Sequence, residues 1–225
     1  MSDPEDGFYD RLAADYEALI RTLVPRYDDL LYWTLDVVLA ADPDSVIELG
    51  PGVGGLSATL LDRLPEVSLT AVEASAGMAL RVEERLRRHG ARARVIHGDA
   101  RSHEPEAPVD VVVSTLVLHN LGPGDRQALL PHIRSWLSAD GIFVWGEFLR
   151  FEDAAVETRV RSYRERFSAE RGCPAEVSRQ NYAKETKHDF PPTAREVFEA
   201  ARQAGFGSTD LVWAHDAFGL FRLCR

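Results

Sequence analysis

The residues best suited to chemistry begin at a glycine-rich turn. The segment VIELGPGVGGLS (46–57) passes from a strand-like run into four glycines, Gly50, Gly52, Gly54 and Gly55. Glycine permits φ > 0 and lets a ligand approach the main chain closely. Three of these glycines satisfy GxGxxG, and Glu73 ends the next strand-like run, which matches the spacing of a dinucleotide-binding fingerprint. The turn therefore predicts a site for a nucleotide-like cofactor.

One carboxylate distinguishes two possible cofactors for this turn. Glu48 lies in the strand end just before Gly50, where it would repel a pyrophosphate and attract a cation. S-adenosylmethionine (SAM) carries an ammonium and a sulfonium, offers a ribose to Glu73 and has no phosphate. Roughly 45 residues precede the first strand, and the remaining chain is short for a separate substrate domain. These features favour SAM over a nicotinamide dinucleotide.

Short apolar runs alternate with helical stretches through the middle of the chain. The strand-like runs are VIEL (46–49), LTAVE (69–73), ARVIHG (93–98), VDVVVST (109–115) and GIFVWGEF (141–148), with helices predicted at 54–64, 76–88 and 124–138. Val- and Ile-rich runs without polar alternation are typical of strands that crossover helices bury on both faces. The pattern predicts an α/β fold with a doubly wound, mostly parallel sheet, whose carboxyl edge would hold the glycine turn and Glu73.

Helical segments flank the predicted sheet. Residues 8–40 show apolar residues at helical spacing and predict two lid helices. The segment LVWAHDAFGLFRLC (211–224) predicts a closing antiparallel strand pair, which makes seven strands. We therefore divide the chain into an N-terminal helical lid (1–43) and a cofactor-binding domain (44–225) with a helical insertion at about 151–190.

Several side chains are placed to line an acceptor site at the same edge. His119 and Asn120 follow the fourth strand, and Trp145 and Glu147 end the fifth. A histidine side chain can gain or lose a proton near neutral pH, so His119 could accept a proton or orient an acceptor, although a hydrogen bond that fixes the loop explains it equally well. Glu147 could bind a cationic or N–H-bearing acceptor, or form a salt bridge with an arginine. We predict His119 and Glu147 as catalytic residues, and Asn120 and Trp145 as acceptor-binding residues.

Aromatic residues of the predicted lid extend this set. Tyr9 and Tyr16 lie on the first lid helix, where they could stack on a flat acceptor or pack against the sheet. The histidines of the chain lack metal-ligand spacing, so the sequence predicts no metal site.

The charge balance narrows the possible partners. The 225 residues include 36 acidic and 26 basic ones, a formal net charge of −10, whereas nucleic-acid-binding proteins usually carry a basic surface. The arginine-rich stretches 81–94 and 159–171 contain interspersed glutamates and are typical of solvated helix faces. No apolar run approaches the ~20 residues that span a bilayer, and no signal segment is visible. Two cysteines cannot form a disulfide framework. We expect a cytoplasmic protein that binds neither nucleic acid nor membrane.

These motifs resemble those of the class I SAM-dependent methyltransferases. The first motif of that family, E/D-x-G-x-G-x-G, is matched by Glu48, Gly50, Gly52 and Gly54. The segments AVEAS (71–75) and HGDA (97–100) also lie at the intervals of that family. The resemblance covers about residues 44–149.

The resemblance implies a set of cofactor contacts. Glu73 would bind the ribose hydroxyls, Asp99 would bind the adenine amino group, and Ala100 would offer a backbone N–H. Thr115, at the end of the fourth strand, would lie near the methionine moiety. The predicted cofactor-binding set is completed by two residues that follow Glu73 closely in sequence, Ala74 and Met78.

Longer stretches are similar to a narrower branch, the carboxy-SAM synthases that support wobble-uridine modification in tRNA. The similar segments are VPRYDDLL (24–31), LGPGDRQALL (121–130), EFLRFEDAAV (147–156) and AFGLF (217–221). This resemblance implies that Tyr27 reaches the SAM carboxylate, although packing alone would also account for a tyrosine at that position.

One arginine of that branch has no direct counterpart in this chain. The synthases hold the extra carboxylate of their product with an arginine, and alignment back from residues 204–206 places Tyr182, beside Asn181, at that position. A neutral side chain cannot supply a bidentate guanidinium clamp. Tyr182 is therefore predicted to contact an acceptor, and the nearby Arg179 could take the place of the missing arginine.

The sequence thus predicts a SAM-dependent methyltransferase that acts on an N, O or C nucleophile of a small-molecule acceptor, such as an aromatic metabolite, and releases S-adenosylhomocysteine. The alternatives are carboxy-SAM synthesis, a nicotinamide oxidoreductase and a non-catalytic SAM-binding module. Apolar helix faces in the lid and the insertion, together with the resemblance to the synthases, indicate a homodimer.

Overall fold

Residues 15–225, which this computed structural model describes, form alternating strands and helices. The strands are β1 (Ser45–Leu49), β2 (Ser68–Glu73), β3 (Ala93–His97), β4 (Val109–Thr115), β5 (Leu137–Phe148), β6 (Ser208–His215) and β7 (Phe218–Cys224). The helices are α1 (Tyr16–Leu23), α2 (Tyr27–Ala40), α3 (Gly55–Arg63), α4 (Ala76–Leu86), α5 (Pro123–Trp136), α6 (Ala154–Glu170), α7 (Ala175–Lys187) and α8 (Ala194–Gln203). Short 3-10 turns lie at Arg87–Arg92, Ala100–Ser102 and Leu118–Asn120.

The strands form one seven-stranded sheet in the order β3-β2-β1-β4-β5-β7-β6. The first five strands pair in parallel, and β7 pairs antiparallel with both β5 and β6. The predicted fold class is therefore confirmed. One strand differs from its predicted bounds, because β5 begins at Leu137 instead of residue 141. Leu137 pairs with Val109 before an irregularity between Val109 and Val111 shifts the register of β4 against β5.

Alternate residues of the central strands point into two different cores. Ile47, Val112 and Phe143 contribute to a core beneath helices α5 and α8. Their neighbours in sequence, including Val46 and Val111, contribute to a second core beneath helices α2, α3 and α4. Side chains of a strand alternate between its two faces, so a strand that is covered on both faces must be apolar at every position. This explains why the central strands read as unbroken Val and Ile runs.

The strand order reverses between β1 and β4, and this is where the crevice of the sheet opens. β1 pairs with β2 on one side and with β4 on the other, so that Leu49 lies beside both Val72 and Ser114. In a doubly wound sheet, ligands bind beyond the carboxyl ends of the strands at such a switch point. The glycine turn that follows β1 and the residues that end β2 and β4 therefore meet there.

Helices α1, α6 and α7 cover this edge. Helix α1 packs against α6, and Leu23 and Val24 join Phe148, Val160 and Phe218 in a third apolar cluster. The predicted Tyr9 lies outside the described residues. Within residues 15–225, none of the helices has the length and apolar character that a membrane span requires.

Candidate functional site

Two glycines of the turn between β1 and α3 adopt a positive φ, and one of them, Gly50, also has no room for a side chain. Gly50 has φ +68°, and a Cβ on it would lie 2.4 Å from Cγ2 of Val117. Gly52 has φ +60°, and a Cβ on it would lie 3.4 Å from Cε1 of Tyr16. Residues with a side chain rarely adopt this left-handed conformation. The turn therefore brings bare main chain to the edge of the sheet, between β4 and the lid.

Gly54 was predicted to contact the cofactor, but it lies at a close contact between two helices. It precedes α3 with φ +77°, and a Cβ on it would lie 3.3 Å from Cγ1 of Val82 on α4. Gly54 does not line the cavities at the strand ends described below, whereas Gly50 and Gly52 do. The structure thus assigns Gly54 to the close packing of α3 against α4, which corrects its predicted contact with the cofactor.

Glu73 ends β2 and is almost fully buried. Its carboxylate accepts hydrogen bonds from the backbone N–H of Gly52 at 3.0 Å and of Ser75 at 2.9 Å. Burial raises the pKa of Glu73, while these backbone hydrogen bonds act in the opposite direction. The backbone N–H of Ala74 also acts on this carboxylate. A carboxylate has about four lone-pair sites, so Glu73 can still accept a hydrogen bond from a ligand hydroxyl. Glu73 is therefore positioned both to shape the glycine turn and to accept from a ligand.

Glu48 lies inside β1 and is also buried. Its carboxylate accepts a hydrogen bond from the hydroxyl of Ser57 on α3. Burial raises the pKa of Glu48 to about 7, and the nearby negative charge of Glu73 acts in the same direction. A cationic ligand at this place would favour the charged carboxylate.

Tyr27 and Glu48 line the same cavity. Burial raises the pKa of Tyr27 to about 12, so its hydroxyl stays protonated and can donate a hydrogen bond. The cavity therefore offers an acceptor that attracts cations and a neutral donor that suits a carboxylate.

The strand-end cleft consists of this cavity and an adjoining one of about 600 Å³. The two share Tyr16, Gly50, Gly52 and Thr115, and the larger one is lined also by Glu73, Ala74, Met78, Asp99, Ala100 and Asn120. The buried hydroxyl of Thr115 has no hydrogen-bond partner among residues 15–225. Next to it, Leu116 has φ +59°, a conformation that costs on the order of 1–2 kcal/mol in a residue with a side chain. An unpartnered buried hydroxyl, strained backbone and an open glycine turn at one place indicate a ligand site.

These groups fit SAM. Glu73 is suited to its ribose hydroxyls, Glu48 to its positive charges, and the unpartnered hydroxyl of Thr115 to its polar methionine end. Met78 and Leu118 supply apolar surface in the larger cavity, as a purine requires. The cofactor contacts predicted from the sequence, apart from that of Gly54, thus come together in one cleft.

Asp99 is half-exposed and already engaged by a neighbour. The guanidinium of Arg101 binds its carboxylate at 2.5 Å, and this hydrogen-bonded pair lowers the pKa of Asp99. Arg101 also binds Asp125 at 2.6 Å, which ties the loop after β3 to the start of α5. Arg101 therefore fixes the position of the loop that carries Asp99 and Ala100 at the cleft.

His119 and Glu147 form a buried pair beside the cleft. Nδ1 of His119 lies 2.6 Å from Oε1 of Glu147, and the Glu147 side chain is fully buried. Glu147 also accepts from the indole N–H of Trp145 at 2.9 Å and from the backbone N–H of Phe148 at 2.8 Å. A carboxylate that accepts from Nδ1–H leaves Nε2 as the basic nitrogen of a neutral imidazole. The arrangement can therefore accept a proton at Nε2.

A separate cavity, which we call the lid cavity, lies between His119 and helix α1. It measures about 60 Å³ and shares Tyr16 and Leu116 with the strand-end cleft. Its apolar wall comes from Leu19, Ile20, Leu23, Val24, Phe148 and Phe218, and its polar wall from His119, Arg164, Asn181, Lys184, Glu185 and Asp189. A ligand in the lid cavity would thus meet both apolar side chains and hydrogen-bonding groups, and the guanidinium of Arg164 lies over the rings of Phe148 and Phe218, at 4.5 and 5.2 Å from their centroids.

The charged groups of the polar wall are paired with one another. Arg164 binds Glu185 with both terminal nitrogens, at 2.6 and 3.1 Å. Lys184 donates to Asp189 and, at 2.7 Å, to the side-chain oxygen of Asn120. Pairing is needed because an isolated charge at this depth would be strongly destabilising.

Three predictions for the acceptor side need correction. Trp145 is fully buried in the core, stacked on Phe143 at 5.9 Å between ring centroids, so it does not face an acceptor. Tyr182 points to the other side of α7, where its hydroxyl lies 3.3 Å from that of Ser168. Glu147 reaches neither cavity and forms no salt bridge with an arginine among the described residues, because its oxygens serve His119, Trp145 and Phe148.

The sequence interpretation missed Arg164 and Lys184. Arg164 lies in the stretch that was predicted to be a solvated helix face, yet it is 96% buried. The buried face of α6 consists of Val160, Arg164 and Ser168, each four residues after the last. This four-residue spacing could have predicted a buried helix face, but an arginine at its centre is unusual for one. Arg179 is exposed and pairs with Glu176, so it does not take the place of the missing synthase arginine.

Comparison with known proteins agrees with this site. Residues 46–141 match a family profile described as a methyltransferase domain. The malonyl-[acyl-carrier protein] O-methyltransferase of Geobacter sulfurreducens is 30% identical over 209 residues, which cover 90% of this chain and 70% of that protein. This chain belongs to the class I SAM-dependent methyltransferases. SAM is therefore its cofactor, and the glycine turn does not belong to a nicotinamide enzyme.

Other proteins resemble the methyltransferase at lower sequence identity. A carboxy-SAM synthase of Shewanella baltica is 26% identical over 185 residues, 79% of this chain and 76% of that protein. The crystal structure of the N-methyltransferase NodS of Bradyrhizobium japonicum with S-adenosylhomocysteine superposes with a TM-score of 0.70, at 15% identity and 99% coverage of both chains. The methyltransferase spans about 60% of the length of several other solved structures that it matches.

Proposed function

We propose that this methyltransferase transfers the methyl group of SAM to an N, O or C nucleophile of a small molecule held in the lid cavity. His119 would accept the proton of the acceptor, and Glu147 would position His119. The observation that carries the proposal is the 2.6 Å contact between Nδ1 of His119 and the fully buried carboxylate of Glu147, beside a cavity that adjoins the cofactor cleft.

Positioning is the main task of the protein in such a reaction. SAM supplies a methyl group already activated by a sulfonium, and the nucleophile must approach it in line with the departing sulfur. Holding the two reactants about 3–3.5 Å apart can supply most of the acceleration. Tyr16 and Leu116 line both the cleft and the lid cavity, so they are suited to aligning an acceptor with the cofactor.

Whether His119 is needed depends on the acceptor. A hydroxyl, amine or acidic C–H must lose a proton as it is methylated, and a positioned base typically contributes about 10²–10⁴-fold to turnover. A carboxylate is already deprotonated near neutral pH and needs no base. The relative from G. sulfurreducens is named as an O-methyltransferase, which supports an oxygen acceptor among the three classes.

The lid cavity also suggests the shape of the acceptor. One wall consists of aliphatic and aromatic side chains and the other of paired charges and His119. We expect a flat molecule that has an apolar face and a polar edge, with the methylated atom directed at Tyr16 and Leu116. The small volume of the cavity, about 60 Å³, implies that helix α1 moves when the acceptor enters.

The experiment that tests this proposal is an acceptor panel with methyl-labelled SAM. The panel contains phenols, amines and carboxylic acids, and the enzymes are the wild type, His119→Gln and Glu147→Gln. We expect His119→Gln to lower turnover of phenols by about 10²–10⁴-fold with unchanged SAM affinity, and Glu147→Gln to act in the same direction. A loss of SAM affinity in His119→Gln as large as its loss of turnover would overturn the role of His119 as a base.

A second candidate function is carboxy-SAM synthesis, and one observation favours it. Arg164 is a buried guanidinium in the wall of the lid cavity, and its Nε has no partner among the described residues. Arg164 could thus bind a carboxylate. It lies on α6, whereas the position aligned with the synthase arginine, Tyr182, lies on α7. The charge of Arg164 is, however, already matched by Glu185, so the proposal of methyl transfer is preferred.

The two candidates differ in the nucleoside that copurifies with the protein. The test is the mass of the compound released when undialysed protein is denatured. SAM or S-adenosylhomocysteine is expected for methyl transfer. A carboxylated SAM would establish the synthase function.

A further inference from the structure

We propose that Arg85 and Glu17 act as a latch that holds helix α1 closed over the bound cofactor, and that Arg85 is thereby a positioning residue for cofactor retention. This inference needs only SAM binding, which follows from the family, and is independent of the proposed acceptor and of His119.

Helix α1 lines both the cofactor cleft and the lid cavity. Tyr16, Glu17 and Arg21 line the part of the cleft that contains Glu48 and the glycine turn. Leu19 and Leu23, together with Ile20, line the lid cavity. The ring edge of Tyr16 lies beside Gly52, 3.4 Å from where a Cβ on that residue would be. Helix α1 therefore forms one side of the cleft, and its displacement would open that side for release of the cofactor.

This helix needs an anchor from outside itself. It contains only eight residues, and isolated helices shorter than about 12–15 residues are marginal in water. Its carboxyl end is anchored by Leu23 in the apolar cluster with Phe148 and Phe218. Its amino end lies over the glycine turn, where Glu17 forms the ion pair with the body of the fold.

The ion pair between Glu17 and Arg85 has the geometry of a specific clamp. Nη1 and Nη2 of Arg85, on α4, bind the two carboxylate oxygens of Glu17 at 2.5 and 3.0 Å. This fork-to-carboxylate arrangement is the strongest form of a charged hydrogen bond. The hydrogen bond to Arg85 lowers the pKa of Glu17, so the pair remains charged through the neutral range.

Gly55 provides an independent observation for the latch. It is the last glycine of the GxGxxG pattern, but its φ lies outside the left-handed range, so its backbone suits any residue. A Cβ on Gly55 would lie 2.9 Å from Oε1 of Glu17 and 3.3 Å from Nη1 of Arg85. The space over Gly55 is thus filled by the ion pair. The absence of a side chain at this position lets the latch cross the start of α3.

Opening the latch should accelerate release of the cofactor product. We would measure the dissociation rate of S-adenosylhomocysteine by stopped-flow fluorescence for the wild type, Arg85→Gln, Glu17→Gln and the double variant. Because both side chains are partly exposed, we expect each single change to raise the rate about 3- to 10-fold. The double variant should be no faster than the faster single one, since the pair can be broken only once.

The matched control is Arg88→Gln. Arg88 follows Arg85 closely in the chain and pairs with Asp62 at 2.5 Å, without contact to α1. This change removes the same charge, so its rate should stay within about 1.5-fold of the wild type if only the latch matters. Added salt should accelerate release from the wild type and leave Arg85→Gln nearly unchanged.

Two further variants separate the latch from a general loss of structure. Arg85→Lys keeps the charge but loses the fork, so its rate should lie between those of the wild type and Arg85→Gln. Gly55→Ala forces the ends of the Glu17 and Arg85 side chains to shift, so its rate should lie between those of the wild type and Glu17→Gln. If Arg85→Gln folds poorly, the exposed Glu17→Gln tests the same contact. Rates for Glu17→Gln and Arg85→Gln equal to that of Arg88→Gln, or additive effects in the double variant, would overturn the latch.

Discussion

The strand-end cleft and the lid cavity are adjoining cavities built in opposite ways. A large part of the cleft comes from one stretch of sequence, residues 48–100, in which turns follow consecutive parallel strands and carry bare main chain and carboxylates. Helices α1 and α2 add Tyr16 and Tyr27, and the end of β4 and the turn after it add Thr115 and Asn120. The lid cavity collects its walls from α1, the turn after β4, and helices α6 and α7. Its charges pair with one another across helices, and Asn120 and Asn181 add hydrogen bonds to these pairs. Cofactor recognition therefore depends mainly on local geometry, whereas acceptor recognition depends on pairs that form only when distant helices pack together.

The strongest test of this contrast removes one partner of a buried pair. Lys184→Met leaves the nearly buried carboxylate of Asp189 without its cation, which should cost about 3–5 kcal/mol in the free energy of unfolding. Urea denaturation measures this change. Lys187→Met, an exposed change on the same helix, should stay within about 0.5 kcal/mol. If Lys184→Met lowered the free energy of unfolding no more than Lys187→Met does, the lid cavity would not depend on its ion pairs.

The corresponding change in the cleft should affect binding more than folding. Glu73→Ala removes a carboxylate that is placed to accept from the ribose, so SAM affinity should fall by about 1.5–3 kcal/mol, or roughly 10- to 150-fold. Isothermal titration calorimetry measures the affinity. Glu66→Ala, at an exposed position just before β2, serves as the control. Unchanged SAM affinity in Glu73→Ala would refute the ribose assignment.

A smaller effect should appear in the pH dependence of cofactor binding. Burial raises the pKa of Glu48 from 4.5 to about 7, so the folded protein without cofactor holds a proton that the unfolded chain has lost between those values. The stability of the free protein should therefore fall as pH rises through this window. A cationic ligand favours the ionised carboxylate, so SAM affinity should rise about tenfold between pH 6 and pH 8.

Calorimetry at several pH values in buffers of different ionisation enthalpy would detect the proton released from Glu48. Glu48→Gln should abolish both the proton release and the pH dependence. If the wild type bound SAM with the same affinity at pH 6 and pH 8, Glu48 would not interact with the charges of the cofactor.

The smallest effect is expected at Asp99. Its side chain is half-exposed and already held by Arg101, so its replacement by alanine removes at most one net hydrogen bond to the adenine. The loss should be about 0.5–1.5 kcal/mol, or roughly 2- to 10-fold in SAM affinity. Titration of both SAM and S-adenosylhomocysteine should give the same loss, because the adenine is common to both. A loss confined to SAM would place Asp99 near the sulfonium instead.

Sequence reasoning succeeded where a function is encoded within a few residues. The strand runs, the turn after β1 and the acidic ends of β1 and β2 are local patterns, and the sheet brings them together wherever parallel strands end. Reasoning from sequence did not reveal that Gly54 serves helix packing, because a positive φ is needed for either task. Trp145 and Glu147 ended the correct strand, but the direction of each side chain depends on the strand register and on which face is buried.

The sequence by itself thus determined the sheet and placed the candidate cofactor and acceptor residues at its carboxyl edge, because periodicity and turn chemistry act over short distances along the chain. Only the tertiary structure decided that Glu147 holds His119, that Arg164 is buried beside the lid cavity and Tyr182 is turned away from it, and that Glu17 meets Arg85 over Gly55. These are contacts between residues 14 to 68 positions apart. An arginine on a mixed-charge helix has the same local pattern whether it faces water or a distant carboxylate, and only packing makes the difference.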